Sequence, residues 1–365
     1  MKRVLAWLLL AVTVLNLWGC DAAPAEPETT EMPAATVAAA TTAAAETQPT
    51  VPETEAPAAQ EKLFLKVSGI TFSLVGESED IYLGMAPREQ VIWESDDPAV
   101  VSVENGVLTA NGVGSTTVRA IYNDQQVEVA AGCLAETREE LDALDPAILS
   151  APKRQIPEVN MEEPCTYFDN AAMIGDSITY FLWQSESQNN YLGDVVFITR
   201  QGISINGLVR RFKNMHFKGK EMYIEEIAAE CGKDRIYIML GCLDFQVTAA
   251  RGYVMDSWNT MLERIEQKCP DLEIVIISNI PSCTEETTPN VYNDAAAETN
   301  AKLRQLAAEK GYGFLDLACY IQDHYGRMPA IYCKDEYHMN GEGSLAWMQV
   351  MRYYAQYELE GGTLS

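Results

Sequence analysis

The feature that most constrains this chain is an alternation in its C-terminal half. Apolar runs, "AAMI", "DVVFIT", "RIYIML", "LEIVIISNI" and "YGFLDL", recur there, with stretches of helical spacing between them. Runs without polar alternation belong to strands buried on both faces. Such strands, each separated by a helix, make a parallel sheet covered on both sides. Residues 166–358 are therefore expected to form an α/β domain, closed by a last helix over "GEGSLAWMQVMRYYAQY". In sheets of this kind ligands bind beyond the carboxyl ends of the strands, so the residues just after each run are the site candidates.

The N-terminal half has a different character. Lys2 and Arg3 precede the apolar run "VLAWLLLAVTVLNLWG", which meets Cys20. A short charged segment followed by an apolar stretch is a secretory signal. The ending "LWGC" resembles a bacterial lipobox, which implies cleavage after residue 19, a lipid on Cys20 and a membrane tether without a spanning helix. Residues 20–61 are rich in Pro, Thr, Ala and Glu and hold no aromatic residue. Such a segment buries too little apolar area to offset its ordering entropy and is expected to be a disordered spacer. Residues 62–133 carry short β-rich runs punctuated by Gly, Asn and Asp, as in an all-β sandwich. Within them, "VIWESDDPAVVSVENGVLTANGVGSTTVRA" resembles a bacterial Ig-like domain of group 2, through Trp93, Ser95, Pro98, the Asn105-Gly106 turn and Gly112 and Gly114. Residues 134–165 are a connector, partly helical and then punctuated by proline.

Charge and cysteines narrow the partners. The chain has 53 acidic against 26 basic residues and a net charge of −27. That balance argues against a nucleic-acid partner, which requires a basic face. Beyond Cys20 there are eight cysteines and no CxxC pair, which argues against a zinc ribbon or a thioredoxin motif. Their even number in an exported chain permits disulfides.

Two places bear chemistry. In "AAMIGDSITYF", Ser177 follows the first strand and is either a helix cap or a nucleophile. A nucleophilic serine needs a histidine base, an acid that fixes the imidazole tautomer, and donors aimed at the developing oxyanion. The chain has only His216, His324 and His338. His216 lies among basic residues with no nearby acid, and His324 directly follows Asp323, a spacing at which side chains rarely face each other. His338 stands three residues after Asp335 in "CKDEYHMNGEG", a spacing that lets a carboxylate on a loop reach one ring nitrogen.

Taken in order, "MIGDSIT", "TRQGIS" and "DEYHMNGEG" resemble the conserved blocks of the SGNH, or GDSL-like, hydrolases across the whole second unit. The resemblance implies a flavodoxin-like three-layer α/β/α fold. It makes Ser177 the nucleophile, His338 the base and Asp335 the orienting acid, with the backbone N–H groups of Ser177 and Gly202 as oxyanion donors. It implies a serine esterase that needs no metal or cofactor and acts on a small ester or an acylated glycan, with O-acetyl the expected acyl group. The third block departs from the family pattern Gly-x-Asn-Asp. "LGCLDF" keeps Gly241 and Asp244 but places Leu243 where the asparagine donor belongs, and the small Cys242 beside it is expected to be buried. Loss of one oxyanion donor costs roughly 10²–10³-fold in turnover. Asn206, in "GISING", is the candidate replacement. The rival reading is a surface binding or adhesion protein that keeps a catalytically impaired hydrolase fold.

Overall fold

The five apolar runs form one parallel sheet in the computed structural model, which describes residues 62–211, 214–283 and 291–364. The signal segment, Cys20 and the spacer up to residue 61 lie outside the described residues. The strands are β1 (Ala171–Gly175), β2 (Val196–Thr199), β3 (Arg235–Met239), β4 (Glu273–Ile277) and β5 (Gly313–Leu315), in the order β2-β1-β3-β4-β5. Each neighbouring pair is parallel. Helix α1 (Ser177–Asn189) joins β1 to β2. Helices α2 (Ile205–Val209) and α3 (Ile224–Glu230) lie between β2 and β3. Helices α4 (Cys242–Gln246) and α5 (Val254–Lys268) follow β3, α6 (Val291–Lys310) follows β4, and α7 (Gly341–Leu359) closes the chain.

The chain first steps from β1 outward to β2, then reverses and steps through β3 to β5. Right-handed crossovers therefore put α1 on one face and α2, α3, α5 and α6 on the other. The packing agrees: α7 lies on α1, while α2 and α3 lie on α5, and α5 on α6. The reversal leaves a crevice at the carboxyl ends of β1 and β3, the place where such sheets hold ligands. One helix is shorter than its pattern suggests. Among its described residues, the stretch "ISINGLVRRFKNM" is helical over α2 alone. Beyond it, Met215–Phe217 and Lys220–Met222 form an antiparallel hairpin. Lys218 and Gly219 turn it at φ +48° and +73°, the two positive values that a tight hairpin turn requires.

The region 63–135 is rich in strands. A three-stranded antiparallel sheet holds Ser78–Asp80, Val107–Ala110 and Val101–Glu104. A five-stranded sheet runs Arg154–Gln155, Gly69–Leu74, Gln125–Ala135, Gly114–Tyr122 and Ile92–Ser95. Its first member comes from the stretch read as a connector. This region and the parallel-sheet region share one apolar core and one compact unit. Helix α7 shows why. Trp347 and Met351 are buried, and so are Tyr353 and Tyr357. Apart from one polar stripe through Glu342, Gln349, Arg352 and Gln356, the helix is largely apolar, and so wide an apolar face needs more than one partner to cover it. Phe64 packs on Tyr353 and Tyr357 with ring centroids 6.0 and 5.4 Å away. The Tyr357 hydroxyl donates to Leu83 O (3.1 Å) and that of Tyr320 to Lys66 O (2.6 Å).

Candidate active site

Ser177 is not the cap of its helix. Asp176 is the N-cap, accepting the Ile178 N–H on its carboxylate at 3.0 Å, and Ser177 is the first helical residue. That division leaves the serine hydroxyl free to face the crevice. Gly175 just before it is required by space, since a Cβ there would lie 1.9 Å from Thr179 Oγ1 and 2.9 Å from Met239 O. The strand end can thus sit against β3 while the chain turns sharply into α1.

The three expected side chains meet. Ser177 Oγ lies 2.9 Å from His338 Nε2. His338 Nδ1 lies 2.8 and 2.9 Å from the two carboxylate oxygens of Asp335. Burial works to raise the Asp335 carboxyl, but N–H bonds from Tyr337 and His338 and the imidazole contact hold it below the usual carboxylate range. The segment that carries both residues is anchored at several points. Lys334 N–H donates to His338 O and Cys283 N–H to Glu336 O, each at 2.8 Å, and a disulfide joins Cys283 to Cys333. Among the described residues the remaining six cysteines are thiols. The edge of Phe181, one turn along α1 from Ser177, meets the His338 ring at 4.8 Å.

The hydroxyl opens into a cavity of about 330 Å³, lined among others by Phe181, Gly202, Leu243, Gln246 and Tyr337. Gly202 has φ +66°, a conformation that a residue with a side chain adopts only with strain.

Two buried aspartates brace this mouth. The Asp176 carboxylate accepts from the N–H groups of Ile178 and Cys242, tying the end of β1 to the end of β3. Its burial pushes the carboxyl up to about 7. Asp244 accepts from Ile205 N–H (2.9 Å), Asn206 N–H (3.3 Å) and Asn206 Nδ2 (2.8 Å), tying α4, just after β3, to the start of α2. Burial raises its carboxyl too, against the pull of those bonds.

Asn206 corrects one expectation. Its amide nitrogen donates to Asp244 and to Ala250 O (3.1 Å), and its oxygen accepts from Ser257 Oγ (2.7 Å). Both ends are engaged outside the residues that line the cavity, so Asn206 is a brace and no substitute oxyanion donor. Leu243 lines the cavity and offers no N–H from its side chain. Cys242 is buried, and burial pushes its thiol up to about 12, which leaves it unreactive as a nucleophile.

The other histidines lie elsewhere. His324 is buried with Nδ1 at 3.1 Å from Ser73 Oγ. His216 is exposed, and contrary to expectation it has an acid nearby: Glu221, brought to 3.2 Å across the hairpin. Reading the sequence missed Phe181, Tyr337 and Gln246 as cavity residues. For Phe181 the signal was present, four residues after Ser177 on one helical face.

Residues 173–346 match the model of the GDSL-like lipase/acylhydrolase family. Among solved structures, a GDSL-like lipase from Bacteroides thetaiotaomicron is 14% identical, covering 53% of this chain and 91% of that one, at a TM-score of 0.43. A member of the lipolytic G-D-S-L family from Veillonella parvula is 19% identical, covering 52% and 96%, at 0.36. The C-terminal catalytic domain of peptidoglycan O-acetyltransferase A from Streptococcus pneumoniae is 12% identical, covering 53% and 96%, at 0.38. No curated protein matches the chain.

Proposed function

We propose that the GDSL-like acylhydrolase domain over residues 173–346 is a serine esterase that removes short acyl groups, O-acetyl above all, from carbohydrate. The observation that carries this reading is the continuous path from Ser177 Oγ through His338 to Asp335 at the floor of a cavity.

In this mechanism Ser177 Oγ attacks the ester carbonyl carbon while its proton passes to His338 Nε2. Asp335 holds the imidazole with Nδ1–H toward itself and stabilises the imidazolium. The oxyanion accepts from the N–H groups of Ser177 and Gly202. The intermediate collapses, the alcohol leaves with the proton from Nε2, and an acyl-serine remains. Water, deprotonated by the same nitrogen, then releases the carboxylic acid and restores the hydroxyl.

The cavity supports a short acyl group. About 330 Å³ is at the small end of ligand sites. Phe181, Ile203 and Leu243 line the cavity together with the polar Gln201 and Gln246. In the same reading residues 1–19 are a lipoprotein signal and Cys20 carries a lipid that holds the protein at the outer face of the cell membrane. Residues 20–61 space it from the membrane, and residues 62–133 are an Ig-like module. The sequence "LWGC" and the composition of 20–61 support this part.

The test is hydrolysis of 4-nitrophenyl acetate and release of acetate from acetylated xylan by residues 60–365, compared with Ser177→Ala. The wild type is expected to turn over both and the variant neither. Equal rates would refute the esterase and favour the binding protein.

A further inference from the structure

The pocket has lost the asparagine that donates to the oxyanion, and its first candidate replacement is tied up elsewhere. We infer that Gln246 supplies the missing side-chain donor, from one turn further along the same helix. This rests on the esterase reading and assigns a further catalytic residue to it.

The argument begins with helix geometry. Residues three and four apart stack on one face of a helix, and each Cα–Cβ bond leans toward the helix N-terminus. In α4 (Cys242–Gln246), Gln246 therefore lies behind both Leu243 and Cys242, and its side chain leans back toward the start of the helix, where the crevice opens. The contact observed agrees, with Gln246 Nε2 at 3.4 Å from Cys242 Sγ, and Gln246 lines the same cavity as Ser177 and Gly202. Glutamine exceeds asparagine by one methylene, which recovers part of the roughly 4.5 Å of rise between positions 243 and 246.

The chemistry of the neighbours favours the same assignment. A thiol sulfur is a weak acceptor, so the bond to Cys242 holds the amide ready without competing against an anion. An N–H bond to a developing oxyanion is charge-assisted and roughly twice as strong as a neutral one. Two other polar side chains of the pocket are committed: His338 to Ser177 and Asp335, and the Tyr337 hydroxyl to Glu336 at 2.6 Å. A primary amide also has two N–H groups, so one can stay near sulfur while the other turns into the cavity.

The experiment measures kcat and KM for 4-nitrophenyl acetate in the wild type, Gln246→Ala, Gln246→Ala with Leu243→Asn, and Ser177→Ala. Far-ultraviolet circular dichroism confirms that each is folded. Gln246→Ala is expected to lower kcat by about 10²-fold with KM within about twofold, since the donor acts on the transition state. Restoring asparagine at position 243 is expected to return at least about tenfold of the loss. A boronic acid, which forms a tetrahedral adduct on Ser177, is expected to bind Gln246→Ala more weakly in proportion to the kcat loss, which a merely structural residue would not produce. If Gln246→Ala keeps kcat within about threefold of the wild type while Ser177→Ala abolishes it, the assignment of Gln246 is wrong and the esterase stands. If the wild type is no faster than Ser177→Ala, both fall.

Discussion

Each polar residue around Ser177 has a separate task, and the tasks are set by what its atoms touch. Asp176 caps α1, which frees the neighbouring hydroxyl to face His338. Asp335 accepts from the imidazole and from two backbone N–H groups at once. That crowding fixes which ring nitrogen carries the proton, so Asp335→Asn is expected to reverse the tautomer and lower kcat by about 10³–10⁴-fold with KM little changed. Steady-state kinetics on 4-nitrophenyl acetate checks this, and a loss under tenfold would mean that His338 is oriented by something else. Ser177, Asp335 and His338 were legible in the sequence because each sits in a short block with a fixed spacing. The orientation of Asn206 was not. The Asn206 amide turns toward a buried carboxylate, and that group, Asp244, comes from helix α4, 38 residues away in the chain.

At the scale of elements, the segment from Cys333 to Asn340 must hold Asp335 and His338 against α1, although most of it is not regular structure. The Asn340 side chain caps α7 through the Gly343 N–H and donates to Ile331 O (2.8 Å), and the disulfide ties the segment to Cys283 in the stretch after β4. Closing a loop of 50 residues restrains the unfolded chain by about 4 kcal/mol. Replacing Cys283 and Cys333 together by serine is expected to lower stability by up to that amount, read in urea denaturation. It is also expected to reduce kcat/KM in the folded protein, because Cys333 lies two residues from Asp335. Unchanged kinetics at reduced stability would show that the backbone bonds alone position the acid. The even cysteine count allowed a disulfide, but the partners could not be read from it, since they stand 50 residues apart and are brought together by the tertiary fold.

The whole molecule joins two regions through a shared core, and one histidine records that junction. His324 is buried beside Ser73, with Lys153 and Glu77 nearby. Burial, helped by Lys153, holds its imidazole down to about 4 from 6.5. The folded state therefore prefers the neutral ring. Its contribution to stability is full above about 6.5 and is lost as pH falls toward about 4, up to about 3 kcal/mol. His324→Asn is expected to flatten the fall in stability across that window, measured by urea midpoints at several pH values. A fall as steep as that of the wild type would place the acid sensitivity in other groups. In the sequence His324 directly follows Asp323, a spacing that argues against an acid–base pair, and its place in the core agrees with that. That residues 63–135 share this core was not legible, because the apolar sides of α7 that receive Phe64 look the same in sequence whether they face a sheet or a second region.

By itself the sequence determined the alternation that makes a parallel sheet, the strand ends where chemistry is placed, and the serine, acid and histidine that stand there in order. These are properties of local period and of spacing within short blocks, and the chain carries them directly. Tertiary structure alone decided that Asn206 braces Asp244, that Gln246 reaches the cavity beside Leu243, that Cys283 pairs with Cys333, and that α7 is covered on both sides. Each of those depends on which segments pack together and which way a side chain then points, and packing is a relation between distant parts of the chain.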